Sequence, residues 1–221
     1  MKKIKMGGVE IGLSDKSDGN MKVLLDEASD GVVENRRKFL EGLGLVIDTV
    51  DFVKVDYETE DFCQFAEADE TNGLRFDRQA RRCDGLVVRE RGRGLFLPLA
   101  DCLGVVLFDT SKEVLMMVHC GRQTIVQGGA FKAIEFMKQV AGTIPSDVLV
   151  WMSPSAGKEN YPIYALNGAG LQEEVVTQLR RAGVPEESIM KSAIDTIKDE
   201  NYWSYSQGDT SDRFAIAAVM V

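Results

Sequence analysis

A chain of 221 residues, 44% of them hydrophobic, can bury the core of one large domain or two small ones, and no feature demands two. Its net charge of −9 argues against a nucleic-acid surface, so an anionic substrate must find a local basic patch. The longest uninterrupted apolar run, 214–221, is too short to span a bilayer, and the basic N-terminus lacks an apolar signal region; a cytoplasmic protein that does not enter membranes is expected.

Residues 4–13 alternate weakly and predict a strand, 14–20 (SDKSDGN) carry turn chemistry, and 21–25 form a second short strand candidate. Asp30 reads as a helix N-cap. Val32, Val33, Arg36, Phe39, Leu40 and Leu43 follow at helical spacing, with Gly42 and Gly44 as the stop. The β-branched stretch 45–55 predicts a strand. The charged, aperiodic segment 57–82 is long for a structureless loop, so it is expected to carry a hairpin or short helix, or to serve as a lid. Strands follow at 84–88 and 95–99, with a turn between them. In 122–141, apolar residues at 126, 130, 134, 137 and 141 predict one amphipathic helix ending at Gly142, although Gly128 and Gly129 weaken it. Residues 148–152 and 214–221 read as buried strands and 171–182 as another helix closed by Gly183. Strands outnumber helices and include a hairpin. The expected class is therefore α+β, a mixed, largely antiparallel sheet or sheets with helices on the faces, in a single domain.

The hairpin is the centre of the chain. Two apolar runs, 103–108 and 114–118, flank Asp109-Thr110-Ser111-Lys112-Glu113. A symmetric loop pairing Phe108 with Glu113 and Leu107 with Val114 puts Cys102 directly opposite His119, the one histidine of the chain. Cross-strand Cβ atoms lie about 4.5–5.5 Å apart, close enough to share a proton or a metal ion. An odd shift in the loop would send the two side chains to opposite faces.

Three readings of the pair stay open: packing, a Cys–His nucleophile, or two ligands of a zinc site. Zinc needs a third ligand, for which the residues offer Asp56, Cys83, Asp101 and Cys120. Strand alternation points Asp101 and Cys120 away from the pair. A single histidine excludes copper-oxidase chemistry, because a blue-copper site takes two histidines and a cysteine. The four cysteines, at 63, 83, 102 and 120, read as free thiols or ligands rather than a disulfide framework.

CDGLVVRERGRGLFLPLADCLGVVLFD followed by MVHCGRQ resembles the DALVT, LxxxTADCxPVLLxD and HAGWRG motifs of the laccase-domain, YfiH-like family, once called multicopper polyphenol oxidases. Ser14-Asp15-Lys16 resembles that family's STR triplet, DGVVENRRKFLEGLGL its NR-containing helix, LQEEVVTQLRRAGV its QLxxAGV helix, and YWSYSQGDTSDRFAIAAVM its closing segment. Carried over by position, the family's zinc-binding cysteine falls on Cys102, one histidine on His119, and the histidine of its QVHG motif on Asp56. The tryptophan of HAGWRG is absent from His119-Cys120-Gly121-Arg122.

The resemblance implies a zinc-dependent enzyme that phosphorolyses purine nucleosides and deaminates adenosine, with a small-molecule nucleoside and phosphate as partners. Cys102, His119 and Asp56 would hold the metal, and Cys102, His119 and Arg122 would be catalytic. Lys16, Arg122 and Arg213 would bind phosphate, and Asp84 and Asp101 would orient ligands from strand ends. The alternatives are a metal-free Cys–His hydrolase or amidase, the amide chemistry of peptidoglycan-precursor editing, and a non-catalytic binding protein.

Overall fold

Gly7 and Gly8 split the first predicted strand in two. Gly7 has φ of 57°, which an L side chain adopts at a cost, and the chain reverses so that Met6 pairs with Val9. The result is a hairpin of β1 (Lys2–Met6) and β2 (Val9–Leu13). The computed structural model describes residues 1–22, 30–68, 82–208 and 211–221. Most of the 21–25 strand candidate and the middle of the 57–82 segment lie outside the described residues. α1 (Asp30–Glu41) follows, and Gly44, at φ of 72°, ends it as its sequence predicts.

Only Val50–Phe52 of the predicted 45–55 strand is β3, because Ile47–Thr49 form a 3₁₀ turn that the Thr49 hydroxyl closes onto the Val46 carbonyl. Short β4 (Phe65–Glu67) leads to β5 (Gly85–Val88), β6 (Gly94–Leu99), β7 (Leu103–Asp109) and β8 (Val114–Cys120). The helix predicted over 122–141 is two helices, α2 (Arg122–Val126) and α3 (Gly129–Ala141). Gly128 takes φ of 78° and breaks them, and a Cβ on Gly129 would stand 2.4 Å from Thr124 Cγ2, so the pair of glycines serves a close approach. β9 (Val148–Met152), α4 (Leu171–Arg181), β10 (Ile189–Lys191) and β11 (Phe214–Met220) complete the chain. β10 is too short and too exposed for periodicity to have revealed it.

The strands form two sheets, of order β1-β2-β11-β6-β3 and β10-β9-β7-β8-β5-β4. Six neighbouring pairs are antiparallel and three parallel, so the fold is α+β with largely antiparallel sheets. Leu95, Leu97, Leu99, Phe214 and Ile216 from the first sheet meet Leu86, Val106, Leu115 and Met117 from the second in one interlayer core. The outer face of the first sheet carries Phe39 and Leu40 of α1, and that of the second carries Ala133, Ile134 and Val175 of α3 and α4. Period-2 burial on each strand is what divides side chains between these layers. No helix among the described residues is long and apolar enough to cross a membrane.

The central hairpin has a register two residues from the one expected. Asp109 pairs with Val114 and Gly104 with His119, so the loop is Thr110–Glu113 rather than 109–112. The cause is Asp109. Its Oδ1 accepts from the Ser111 and Lys112 backbone N–H groups and the Ser111 hydroxyl, fixing a turn that Glu113 closes at φ of 53°. Cys102 is therefore diagonal to His119, not opposite it. A shift of two keeps strand parity, so both still face the interlayer.

Burial alone would raise the Asp109 carboxyl, but the nearby Thr143 hydroxyl and the hydrogen bonds from Lys112 and Ser111 together outweigh it and hold the group below the usual carboxylate range. An acid depressed by folding contributes stability above its unfolded pKa, about 4, and loses it as the pH falls through the folded value. Asp109→Ala should thus cost about 1–2 kcal/mol at neutral pH, with the gap to the parent narrowing below about pH 4. Urea unfolding at pH 7 and pH 3 checks this; an equal gap at both would show that the carboxylate charge plays no part.

Candidate active site

The bend between β6 and β7 carries Cys102. Asp101 just before it has φ of 74°, and its buried carboxylate stabilises the bend from three sides. Oδ1 accepts from the Thr196 hydroxyl at 2.9 Å, and Oδ2 from the Ser204 hydroxyl at 3.1 Å and the Ser206 N–H at 2.7 Å. A residue that the resemblance makes a ligand orienter thus ties the Cys102 loop to the segment bearing Tyr205.

His119 lies at the end of β8, 5% exposed, and its backbone N–H donates to the Asp84 carbonyl. Cys102 and His119 approach one another beside Gly121. A Cβ there would stand 3.4 Å from Cys102 Sγ and 3.5 Å from His119 Nε2. Burial pushes the His119 imidazole down to about 4, so it is neutral at physiological pH, and its Nδ1 has no hydrogen-bond partner among the described residues. Burial, helped by the Asp101 charge, pushes the Cys102 thiol up to about 11 against the opposing charges of Arg213 and Arg122. Asp84 precedes the Gly85–Val118 pair and so faces the same layer as His119. Its Oδ2 accepts from Gln64 N–H, and burial raises the carboxyl to about 6.

Cys102 and His119 border a cavity of about 580 Å³ at the end of the interlayer core. Pro98, Leu99, Asp101 and Arg213 line it, as do three tyrosines that sequence reasoning did not single out, Tyr57, Tyr161 and Tyr205. They come from three separate loops, so no local spacing could have joined them. The Tyr57 ring sits edge-on to His119 with centroids 6.5 Å apart. Arg122 packs its guanidinium 4.3 Å from the Tyr161 ring centroid, and Arg213 lies 5.9 Å from that of Tyr205.

Three expected residues stand elsewhere, among them Arg122, which packs on Tyr161 but does not itself line the cavity. Lys16 donates from Nζ to the Glu200 carbonyl at 2.7 Å and does not line the cavity. Asp56 accepts from Arg82 at 2.7 Å and from the Glu58 N–H at 3.0 Å, an arrangement that turns its carboxylate to a cation instead of to the Cys–His pair. Of the other third-ligand candidates, Cys83 packs in the interlayer core and Cys120 in the opposite, helix-covered core, as alternation requires. None of the four cysteines is in a disulfide. The described residues contain no cluster of three or more His, Cys, Asp or Glu side chains able to hold a metal ion. Cys102 and His119 supply two zinc donors where a catalytic site takes three, so the set as it stands does not fit the metal.

A cysteine and a histidine held at the mouth between two sheets, with helices on both outer faces and aromatic side chains around the opening, define a small-molecule site in a helix-flanked double-sheet protein. Residues 4–174 match the model of the multi-copper polyphenol oxidoreductase laccase family, and the chain belongs to that family. A purine nucleoside phosphorylase of Corynebacterium glutamicum is 27% identical over 203 residues, covering 83% of this chain and 79% of the relative. One from Streptomyces coelicolor is 28% identical over 159 residues, 63% of this chain and 64% of the relative, just under two thirds of its length. Among solved structures, Bacillus licheniformis YfiH superposes with a TM-score of 0.85 at 18% identity, covering 96% of this chain and 93% of that one. Geobacillus stearothermophilus YlmD gives 0.84 at 20%, with 97% and 92% covered. The YfiH-like resemblance read from the motifs is thus met by both family and fold.

Proposed function

We propose that the chain is a purine nucleoside phosphorylase whose base-binding walls are Tyr57, Tyr161 and Tyr205. The observation that carries this reading is the cavity itself: three aromatic rings around a cysteine, a neutral histidine and an arginine suit a flat heterocycle attached to a polar sugar. The names of the relatives point the same way.

In phosphorolysis a phosphate oxygen bonds to the sugar C1′ as the C1′–N9 bond breaks, and the bonding pair leaves with the base. Arg213 supplies positive charge where the phosphate must sit. The leaving purine gains negative charge, so it needs proton donors. Burial holds the Cys102 thiol protonated, the Tyr57 hydroxyl is protonated at neutral pH in any case, and both line the cavity as donors. The same protonated thiol counts against the metal-free hydrolase reading, because a nucleophilic cysteine needs a depressed pKa. Zinc and adenosine deamination, which the resemblance also implies, both ask for a third ligand that the described residues do not bring to the pair. The reading therefore rests on phosphorolysis.

Chromatography of inosine and adenosine incubated with the purified chain tests it, with phosphate present and omitted, on metal-stripped and on zinc-supplemented protein. Release of hypoxanthine or adenine that requires phosphate is expected, with a loss of at least about 10²-fold in kcat/KM for His119→Ala. Intact nucleosides under all four conditions would refute the activity.

A further inference from the structure

We propose that a second chamber, on the far side of His119, binds a phosphate dianion through Lys22, Lys54, Arg82 and Arg213. This chamber, about 370 Å³, shares Tyr57, Pro98, His119 and Arg213 with the tyrosine-lined cavity, so the two adjoin at the imidazole. Its lining carries those four cations and one carboxylate, Glu58, in a chain whose net charge is −9. Phe52, Val53, Val55 and Leu97 form the remaining walls, a low-dielectric surround that concentrates the field of the cations on the space between them. Basic residues gathered against the overall charge of a protein serve an anion, and Lys and Arg together suit a phosphate, which accepts several charge-assisted hydrogen bonds.

The ion pairs at the rim fit this use. Asp56, 2.7 Å from Arg82, and Glu58, 3.3 Å from it, hold the guanidinium in the wall of the chamber. Asp56 is then the tether of an anion-binding arginine, which accounts for its place better than metal ligation does. Arg213 stands in both chambers and is the link between them. Lys16, the cation that the family motif offers, reaches the Glu200 carbonyl, and neither it nor Arg122 lines the chamber. A ligand reaching past His119 from one to the other would place a base among the tyrosines and a phosphate among the lysines. As the seat of the phosphate co-substrate, the chamber rests on the phosphorylase reading. As a phosphate site, it stands without it.

Calorimetric titration of the intact chain with inorganic phosphate, inosine and inosine 5′-monophosphate tests the inference without requiring turnover. Lys22 and Lys54 are partly exposed and their side chains can be truncated without opening the core. Lys22→Ala and Lys54→Ala are each expected to weaken phosphate binding by about tenfold, with Lys16→Ala leaving it unchanged. If inorganic phosphate binds too weakly to measure but the monophosphate binds more tightly than inosine, and the two lysine variants erase that advantage, the chamber takes the phosphoryl group of a nucleotide. Loss of phosphate affinity in Lys16→Ala with none in Lys22→Ala and Lys54→Ala would overturn the proposal, as would no phosphate-dependent binding of either kind. Nucleosides left intact, together with lysine-dependent phosphate binding, would reject the phosphorylase reading and keep the chamber.

Discussion

Gly121→Ala should leave the protein folded and reduce kcat/KM for the proposed nucleoside phosphorolysis by about 10²-fold or more, the loss that a displacement near 1 Å at a reacting group produces. Gly121 is the N-cap of α2 with φ of −76°, a conformation that alanine adopts without strain. The effect comes from space alone. The added methyl would stand 2.8 Å from His119 Cε1, closer than real Cβ contacts come, as well as 3.4 Å from Cys102 Sγ. His119 is 5% exposed at the end of a buried strand, so it can move only into the cavity, where a substrate would have to lie. Steady-state kinetics with inosine and a thermal melt of the same sample separate the two effects. Parent-like turnover would show that the notch between cysteine and histidine has no role in the reaction.

Gly104→Val is expected to act on the fold instead. Gly104 is the residue paired with His119, and its missing side chain lets the two sheets close over it. A Cβ would meet Ile216 Cδ1 at 2.5 Å, Leu99 Cδ1 at 2.9 Å and Leu97 Cδ2 at 3.4 Å, all buried in the interlayer core. Valine adds two further methyl groups to that Cβ. Overpacking of this kind costs about 1–3 kcal/mol, which for a chain of this length lowers Tm by roughly 2–12 °C. Leu99 also lines the tyrosine cavity, so a variant that survives should bind nucleoside more weakly. Differential scanning calorimetry reads the stability term; an unchanged Tm would mean that the sheets part there at no cost.

Much of the architecture was legible in the sequence because each strand and helix writes its burial into a local period. The hairpin of β7 and β8, the strands β5, β6, β9 and β11, and α4 stand within a residue or two of their predicted bounds. Where local chemistry competes with periodicity, the expectation failed. Gly128 breaks a helix whose apolar spacing continues through it, the Asp109 turn sets the hairpin register two residues away, and a 3₁₀ turn shortens β3.

The sequence by itself determined that one histidine cannot build a copper-oxidase centre, and it placed Cys102 and that histidine on one face only for an even loop, which the four-residue Asp109 turn supplies. Tertiary structure alone decided what joins them. Asp56 went to Arg82 and Lys16 to a carbonyl near residue 200, while Tyr57, Tyr161 and Tyr205 came together from segments about 100 and 150 residues apart. A periodic pattern records which side of an element is buried. It carries nothing about which distant loop will lie against that side, since that is settled by how the two sheets pack and where their connections cross.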